Sequence, residues 1–212
     1  YAILDPAGEL PVAGKYRKIT LKRTIPAGLS TIALPFATTL EALAVGTSNA
    51  GVKAYVLKNV GVDSEKGYVF YFTEVTGGSL EAGVPYVIYL ESEVNTPVWR
   101  SDDGIQIVGE AGSVTCGAWS LVANFTAGKS MTGLYGIVNS PDPSDGSKRI
   151  NRIMKGGNGA VLNAYSASFV NSESNGSAGP AYSAPMQSGP VVNRASVAKG
   201  IIETVPLFSI PL

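Results

Sequence analysis

The sequence predicts an all-β protein, an antiparallel β-sandwich with one short helix, and three observations lead to that prediction. Short apolar runs alternate with polar residues at the two-residue period of strands. Gly (25) and Pro (13) are plentiful, whereas charged residues make up only 15% of the chain, so turn formers are dense and helix-supporting side chains are sparse. Turn signals recur at intervals typical of a sandwich or barrel. We expect a single domain over 1–212, because that length can bury one full core.

The first clear elements are two alternating runs within residues 16–36, "YRKITLKRTIPAGLSTIALPF". They flank a Pro-Ala-Gly turn, so we expect the fold to open with an antiparallel hairpin. The period then changes in "ATTLEALAVG", where the apolar residues fall on one helical face. Thr38 or Thr39 can cap this short helix, and Gly46 can end it.

Further strands follow in the middle of the chain. "VKAYVLKNVGV" and "GYVFYFTEVTGG" are joined by a turn at 63–67, and the second run is apolar on both faces, so we expect it to be covered on each side. "SLEAGVPYVIYLES" is another strand, with Pro85 at its first residues, where no ladder hydrogen bond is lost. "IQIVGEAGSVTCGAWSLVANFT", "GLYGIVNS" and "AVLNAYSASF" supply the remaining clear strands.

The end of the chain divides into two segments. Ser, Gly, Asn, Ala and Pro dominate 172–199, a composition that buries too little surface for strong ordering, so we expect a long irregular segment. Residues 200–212 are apolar again and are a candidate edge strand, whose pairing Pro206 and Pro211 limit. The core of the domain is therefore expected within roughly 16–171.

Several of these motifs occur in the order of a known family. "LPF" at 34–36 ends a strand, "AGVPY" at 82–86 begins a later one, and "YSASF" at 165–169 is a small-aromatic pattern in a late strand. Over roughly 16–171 the chain resembles the β-sandwich domain that is repeated in secreted and surface-attached proteins of Bacteroidetes. The resemblance implies an exported β-sandwich beside other extracellular modules, and it implies no catalytic residues. The Ser/Gly-rich segment after Phe169 departs from the compact ending of that family.

Composition excludes several classes of function. The chain has no histidine, so it has no Ser-His-Asp or Cys-His arrangement and no imidazole metal ligand. Cys116 is the only cysteine, which rules out an intramolecular disulfide and a thiolate metal cluster, and its apolar strand context predicts a small buried side chain. Sixteen basic and sixteen acidic residues cancel without a charge run, so we expect no nucleic-acid partner.

The sequence contains no membrane-spanning run. No stretch approaches eighteen consecutive apolar residues. Tyr1 opens the chain without the pattern of a signal peptide, so we expect any export signal to have been removed already. We expect an extracellular or cell-surface location.

One stretch resembles a phosphate-binding loop. "ANFTAGKS" satisfies the relaxed Walker A pattern, with Ala123 in place of the first Gly and Lys129 before Ser130. The pattern requires a helix after the loop, with its N-terminus toward the phosphates. The following "MTGLYGIVNS" reads as a strand, so we expect a hairpin turn and no bound nucleotide.

Acidic side chains offer weak candidates for metal binding or acid–base chemistry. Asp142 and Asp145 lie in a Pro-Gly-rich turn that could offer oxygen ligands, but the turn lacks the alternating carboxylates and terminal Glu of a calcium loop. We favour a solvated turn. The pairs Asp102/Asp103 and Glu91/Glu93 read as surface positions without an apolar pocket that would raise one pKa. We therefore expect neither a metal nor another cofactor, and no enzymatic activity.

Trp99 is the best candidate for contact with a ligand. Flat aromatic faces are the platforms on which sugars stack, and "NTPVWRSDDG" places Trp99 beside Arg100, Asp102 and Asp103 in a polar, loop-like context. If the site is real, the indole has an accessible face and the three charged side chains share its surface. A buried or edge-covering role for Trp99 is nevertheless favoured, because large aromatic side chains are mostly buried. Trp119 lies in a Gly-flanked strand and is predicted to be core.

Two functions remain open from the sequence. The first is a noncatalytic binding or adhesion module for a glycan or a surface protein. The second is a structural spacer that presents neighbouring modules of a larger surface protein. An exposed aromatic cluster around Trp99 favours the first, and a surface without exposed aromatic rings favours the second.

Overall fold

A computed structural model describes residues 1–45, 51–63, 67–141, 149–173 and 205–210. Within these residues the protein is mostly β-strand, with one five-residue helix. Nearly all strand pairs are antiparallel, and the exception among the named strands is the parallel pair formed by Ala2–Leu4 and Gly14–Leu21. The all-β prediction is confirmed. No helix among the described residues is long and apolar enough to cross a membrane.

The first large sheet has five antiparallel strands. In chain order its strands are β4 (Gly28–Ala33), β6 (Lys53–Asp63), β7 (Gly67–Glu74), β9 (Pro85–Leu90) and β19 (Val205–Ile210). Their order across the sheet is β19, β7, β6, β9, β4. β6 ends at Asp63 and β7 begins at Gly67, and these two residues pair; the turn predicted between them lies at 64–66, outside the described residues. Pro85 is the first residue of β9, as predicted. β19 pairs with β7 at the outer edge.

The second large sheet also has five antiparallel strands. Its strands are β12 (Ser113–Cys116), β13 (Trp119–Asn124), β15 (Tyr135–Pro141), β16 (Arg149–Lys155) and β18 (Ser166–Asn171). Their order across the sheet is β12, β13, β18, β15, β16. The central strand β18 pairs with β13 along its whole length and with β15 at Phe169.

A smaller sheet and three two-stranded ladders complete the described part of the fold. The three-stranded sheet has the order β1 (Ala2–Leu4), β2 (Gly14–Leu21), β11 (Val98–Ile107). The ladders pair β3 (Thr24–Ile25) with β10 (Val94–Asn95), β5 (Thr38–Thr39) with β8 (Ser79–Leu80), and β14 (Lys129–Ser130) with β17 (Val161–Leu162).

The predicted opening hairpin is wrong. β2 pairs with β1 and β11, whereas β4 pairs with β9 in a different sheet. Ile19 of β2 and Ile32 of β4 are fully buried in the same core, so both strands contribute to it without pairing with each other. Alternation identifies the buried face of a strand, but it does not identify the neighbouring strand.

The helix α1 (Leu40–Ala44) follows the cap that the sequence predicts. Thr39 is extended, and its hydroxyl accepts a hydrogen bond of 3.1 Å from the backbone N–H of Ala42. The cap satisfies an N–H that the first turn leaves without a carbonyl partner. Leu43 is fully buried. Gly46, the predicted end of the helix, lies outside the described residues.

Buried side chains form two cores. The first core, from β1, β2, β4, β9, β11, α1 and neighbouring segments, includes Leu4, Ile19, Leu21, Ile32, Phe36, Leu43, Ile88, Trp99 and Tyr165. The second core combines side chains of both five-stranded sheets: Leu29, Tyr55, Leu57, Phe70, Phe72, Val87, Trp119, Leu121, Ile153, Ala167 and Phe169. β9 supplies Val87 to the second core and Ile88 to the first, so this strand is covered on both faces.

Candidate functional site

Trp99 lies in β11 with its ring in the first core. Only 4% of its surface is exposed, and its ring meets Phe36 edge to face with centroids 5.0 Å apart. Ile19 of β2 stands opposite Trp99 in the ladder. Trp99 therefore lacks the accessible face that ligand binding would require, and the favoured buried role is observed. An indole held in this way does not offer a flat face for a sugar to stack on.

The charged neighbours of Trp99 are exposed, whereas its ring is buried. Arg100 is exposed, because successive side chains of a strand point to opposite faces. Asp102 and Asp103 are exposed in an irregularity where the register jumps between Arg100 and Ile105. Ligand binding by Trp99, Arg100, Asp102 and Asp103 stays a prediction. The exposed indole face that would have supported this prediction is not present.

A shallow groove of about 800 Å³ nevertheless runs past Trp99. It is lined by 92–100 together with Ala42 and Val45, and Val45 and Val98 leave apolar surface exposed along it. The indole Nε1–H of Trp99 is buried and has no hydrogen-bond partner among the described residues. A buried donor beside a groove can bind an acceptor brought by a ligand.

The loop that resembles a phosphate-binding motif joins β13 to β14, which lie in different sheets, so the predicted hairpin turn is wrong. Lys129 and Ser130 form β14, which pairs with β17, and Gly128 has a positive φ of 65°. The next element is the strand β15, as predicted, so the helix that the motif needs does not follow. The absence of nucleotide binding stays a prediction.

Cys116, Glu91 and Glu93 are the remaining sequence candidates that lie within the described residues. Cys116 ends β12, is half-buried against the second core, and has its pKa raised by burial, which disfavours the thiolate. Glu91 and Glu93 are exposed. Asp142 and Asp145 lie outside the described residues. Within the described ranges, no three His, Cys, Asp or Glu side chains gather as a metal site would require.

A different constellation, which sequence reasoning missed, surrounds Arg23. Its Nη1 donates to the backbone oxygen of Tyr165 at 2.7 Å, and its Nη2 donates to that of Thr31 at 3.2 Å. Burial lowers the pKa of Arg23 to about 10, so the guanidinium is still charged at neutral pH. Among the described residues, Lys22 pairs with Asp5 and Lys53 with Glu74, and neither ion pair involves Arg23.

Tyr165 presents its carbonyl to Arg23 through an unusual backbone conformation. Its φ of 60° is in the left-handed region, which a non-glycine residue adopts at a cost of roughly 1–3 kcal/mol. Its N–H donates to Asn124 at 2.7 Å, and its C=O also accepts from the N–H of Ala33 at 3.2 Å. These bonds hold the strained residue in place between two sheets.

A groove of about 620 Å³ opens beside this guanidinium. Ser30 lines it, retains 8% exposure, and has a hydroxyl without a hydrogen-bond partner among the described residues. Met131, Met154 and Leu162 give the wall an apolar part. We call this the Arg23 groove, formed by Arg23, Thr24, Pro26, Ser30, Thr31, Met131, Ile137, Met154, Lys155, Val161, Leu162, Ser166 and their neighbours.

The sequence does contain a signal for Arg23. Positions 19, 21, 23 and 25 alternate along one run, and three of them are fully buried apolar residues: Ile19, Leu21 and Ile25. Arg23 occupies the fourth of these positions. A cation where alternation calls for an apolar side chain indicates a buried charge. Its partners could not be read from the sequence, because Tyr165 is 142 residues away.

The comparisons with known proteins give no relative. No protein-family model matches the chain, and neither a curated protein nor a solved structure shows detectable similarity to it.

Proposed function

We propose that this chain is a noncatalytic, exported β-sandwich module that acts as a structural spacer and presents neighbouring modules of a larger surface protein. The sandwich consists of the two five-stranded sheets, whose side chains share the second core. The resemblance of 16–171 to the domain repeated in secreted and surface-attached proteins of Bacteroidetes supports the location.

The observation that carries this proposal is the burial of both tryptophans. Trp99 is 4% exposed and Trp119 is 2% exposed, and each packs edge to face against a phenylalanine of its core. Large aromatic rings that fill cores contribute stability, whereas a sugar-binding module keeps such a ring accessible. A spacer needs a stable folded body between its ends.

A glycan array probed with the purified chain tests the proposal. The spacer predicts no saturable binding to neutral glycans at concentrations up to about millimolar. Dose-dependent binding to a defined neutral glycan, reproduced by calorimetry, contradicts it.

The second candidate is a binding or adhesion module that uses the groove beside Trp99. The unpartnered Nε1–H, the exposed valines and the side chain of Arg100 favour it. In this arrangement the indole contributes a hydrogen bond at its edge, and ring stacking plays no part.

The variant Trp99→Phe separates the two candidates. Phenylalanine keeps a ring in the core but removes the N–H donor. If the groove binds a ligand through Nε1, any glycan or protein ligand found for the wild type binds more weakly to Trp99→Phe. The spacer predicts that the variant differs from the wild type only in stability.

A further inference from the structure

The Arg23 guanidinium is a partly buried cation that uses only part of its hydrogen-bonding capacity. Its two bonds are to the backbone oxygens of Tyr165 and Thr31, which carry partial charges only. Nε–H and the second N–H of each terminal nitrogen have no partner among the described residues. A charge that is even partly withdrawn from water gains from a counter-charge, because desolvation without one is costly.

The groove beside Arg23 has a positive lining. Among the described residues, the charged ones in the lining are Arg23 and Lys155, and no Asp or Glu lines it. Lys155 Nζ lies 5.9 Å from the ring centroid of Tyr135, which packs against the second core. An anion entering this groove meets the Arg23 guanidinium and no repelling carboxylate of the described lining.

Ser30 gives a second, independent indication of a ligand. More than nine-tenths of its surface is buried, and its hydroxyl lines the groove without a partner among the described residues. The hydroxyls of Thr31 and Ser166, in the same lining, are bonded to the backbone of Ala167 and Asn163. An unpartnered hydroxyl next to an incompletely bonded guanidinium offers two kinds of donor to one acceptor group.

The rest of the lining selects the body of the ligand. Met131, Met154, Val161 and Leu162 form an apolar wall along a space of about 620 Å³, which suits a compact apolar group. The neighbouring backbone is open, because Gly157 would meet nothing within 4 Å if it carried a Cβ.

We propose that the Arg23 groove binds a carboxylate that is attached to a compact apolar body. Arg23 and Ser30 donate hydrogen bonds to the carboxylate, and the apolar wall contacts the apolar group. Two sources share this chemistry: the C-terminus of a peptide that ends in an apolar residue, and a free aliphatic acid. This activity goes beyond the spacer proposal and does not depend on it.

Calorimetric titration of the full chain at neutral pH tests the proposal with four probes. N-acetyl-leucine represents a peptide C-terminus, hexanoate an aliphatic acid, N-acetyl-leucinamide the same body without charge, and glucuronate a carboxylate on a polar body. We expect saturable binding of N-acetyl-leucine, hexanoate or both. The amide and glucuronate should bind at least about tenfold more weakly, because each lacks one half of the recognised chemistry. The tighter of the two apolar acids identifies the source.

The variant Ser30→Ala tests the site itself, with Ser168→Ala as its matched control. Both serines are buried with unpartnered hydroxyls, but only Ser30 lines the groove. Each substitution removes an unsatisfied buried hydroxyl, so both variants should be at least as heat-stable as the wild type. Ser30→Ala should weaken binding of the apolar carboxylate by about threefold to tenfold, the scale of one hydrogen bond, whereas Ser168→Ala should leave it unchanged.

Arg23→Lys gives the stronger effect. Lysine keeps the charge but lacks the planar pair of N–H donors of a guanidinium, so binding of the apolar carboxylate should fall by at least about tenfold.

Three results overturn the proposal: no carboxylate probe binds at about millimolar concentration, the amide or glucuronate binds as tightly as the apolar acids, or Ser30→Ala binds like Ser168→Ala. Trp99→Phe, which alters only the other groove, should bind these probes normally, so failure here is distinct from failure of the spacer proposal.

Discussion

Trp99 and Trp119 have the same role, although they lie in different cores. Each ring packs edge to face on a phenylalanine, Phe36 in one case and Phe70 in the other, with centroids 5.0 and 4.9 Å apart. Neither indole N–H has a hydrogen-bond partner among the described residues. The rings therefore contribute through packing, and each unpartnered N–H subtracts from that contribution.

Truncation of Trp99 measures this packing directly. Trp99→Ala should lower the free energy of unfolding by about 3–5 kcal/mol, since it leaves a large cavity in the first core. Trp99→Phe should cost much less, because a ring remains and an unpartnered donor disappears. Urea denaturation followed by circular dichroism checks both values. A change below about 0.5 kcal/mol for Trp99→Ala is typical of a surface position and contradicts the packing role.

Tyr165 makes stability depend on alkaline pH. Burial raises the pKa of its hydroxyl to about 12, and the carboxylate of Asp5 adds to the shift. The folded pKa lies above the unfolded value of about 10, so the contribution is complete below pH 10 and is lost as pH rises toward 12.

The variant Tyr165→Phe isolates this contribution. The wild type should lose roughly 2 kcal/mol relative to Tyr165→Phe between about pH 9 and pH 12. Comparison with the variant removes the effects of other groups, including Arg23, from the difference. Denaturation at several alkaline pH values measures it, and a constant difference across that range contradicts the account.

At the scale of elements, the end of β16 makes a close crossing with the segment that follows β14. The N–H of Gly156 donates to Leu134 at 2.8 Å, and Thr132 forms a parallel bridge with Gly156. A Cβ on Gly156 would overlap the backbone of Met131. The approach of these two backbones requires glycine at this position.

Two adjacent glycines provide a matched pair for this crossing. Gly156→Ala should destabilise the protein by about 1–3 kcal/mol, because the backbone of Met131 has to move. Gly157→Ala should stay within about 0.5 kcal/mol, since its Cβ would meet nothing within 4 Å and its φ is not positive. Thermal unfolding of both variants checks the comparison. Equal effects of the two substitutions would show that the crossing is not tight.

The strand that follows Ser130 leads to a prediction about nucleotides. β15 begins at Tyr135, so the element that follows the loop and Lys129 is a strand, whereas a phosphate-binding loop needs a helix there. Calorimetry with ATP and GTP should show no saturable binding. Binding that disappears in Lys129→Ala contradicts this prediction.

Sequence reasoning identified elements better than it identified their neighbours. The break between β6 and β7, the start of β9 at Pro85 and the cap at Thr39 were predictable because each depends on residues close in sequence. The pairing of β2 with β11 was not predictable, since alternation leaves the partner strand open. The polar run after Trp99 indicated a loop, but it is an irregularity within β11, and the strand continues to Ile107.

At the scale of the whole molecule, β9 connects the two cores. The side chains of β9 alternate between the two cores. Thr31, on the adjacent strand β4, bonds to Ala167 of the second large sheet: the Thr31 hydroxyl donates to the backbone oxygen of Ala167 at 2.8 Å and accepts from the N–H of Ala167 at 3.0 Å. Arg23 makes a similar long-range link between Thr31 and Tyr165. Contacts of this kind favour a single cooperative unit, which a spacer module requires.

The most direct test of the central claim, that the tryptophan rings are internal and structural, is the fluorescence of Trp99 in the variant Trp119→Phe. The chain contains two tryptophans, so Trp99 is then the sole indole emitter. Circular dichroism first verifies that the variant is folded. We predict blue-shifted emission, weak quenching by acrylamide, and no change when neutral oligosaccharides are added. Red-shifted emission that acrylamide quenches readily, and that changes saturably with an oligosaccharide, would contradict the account.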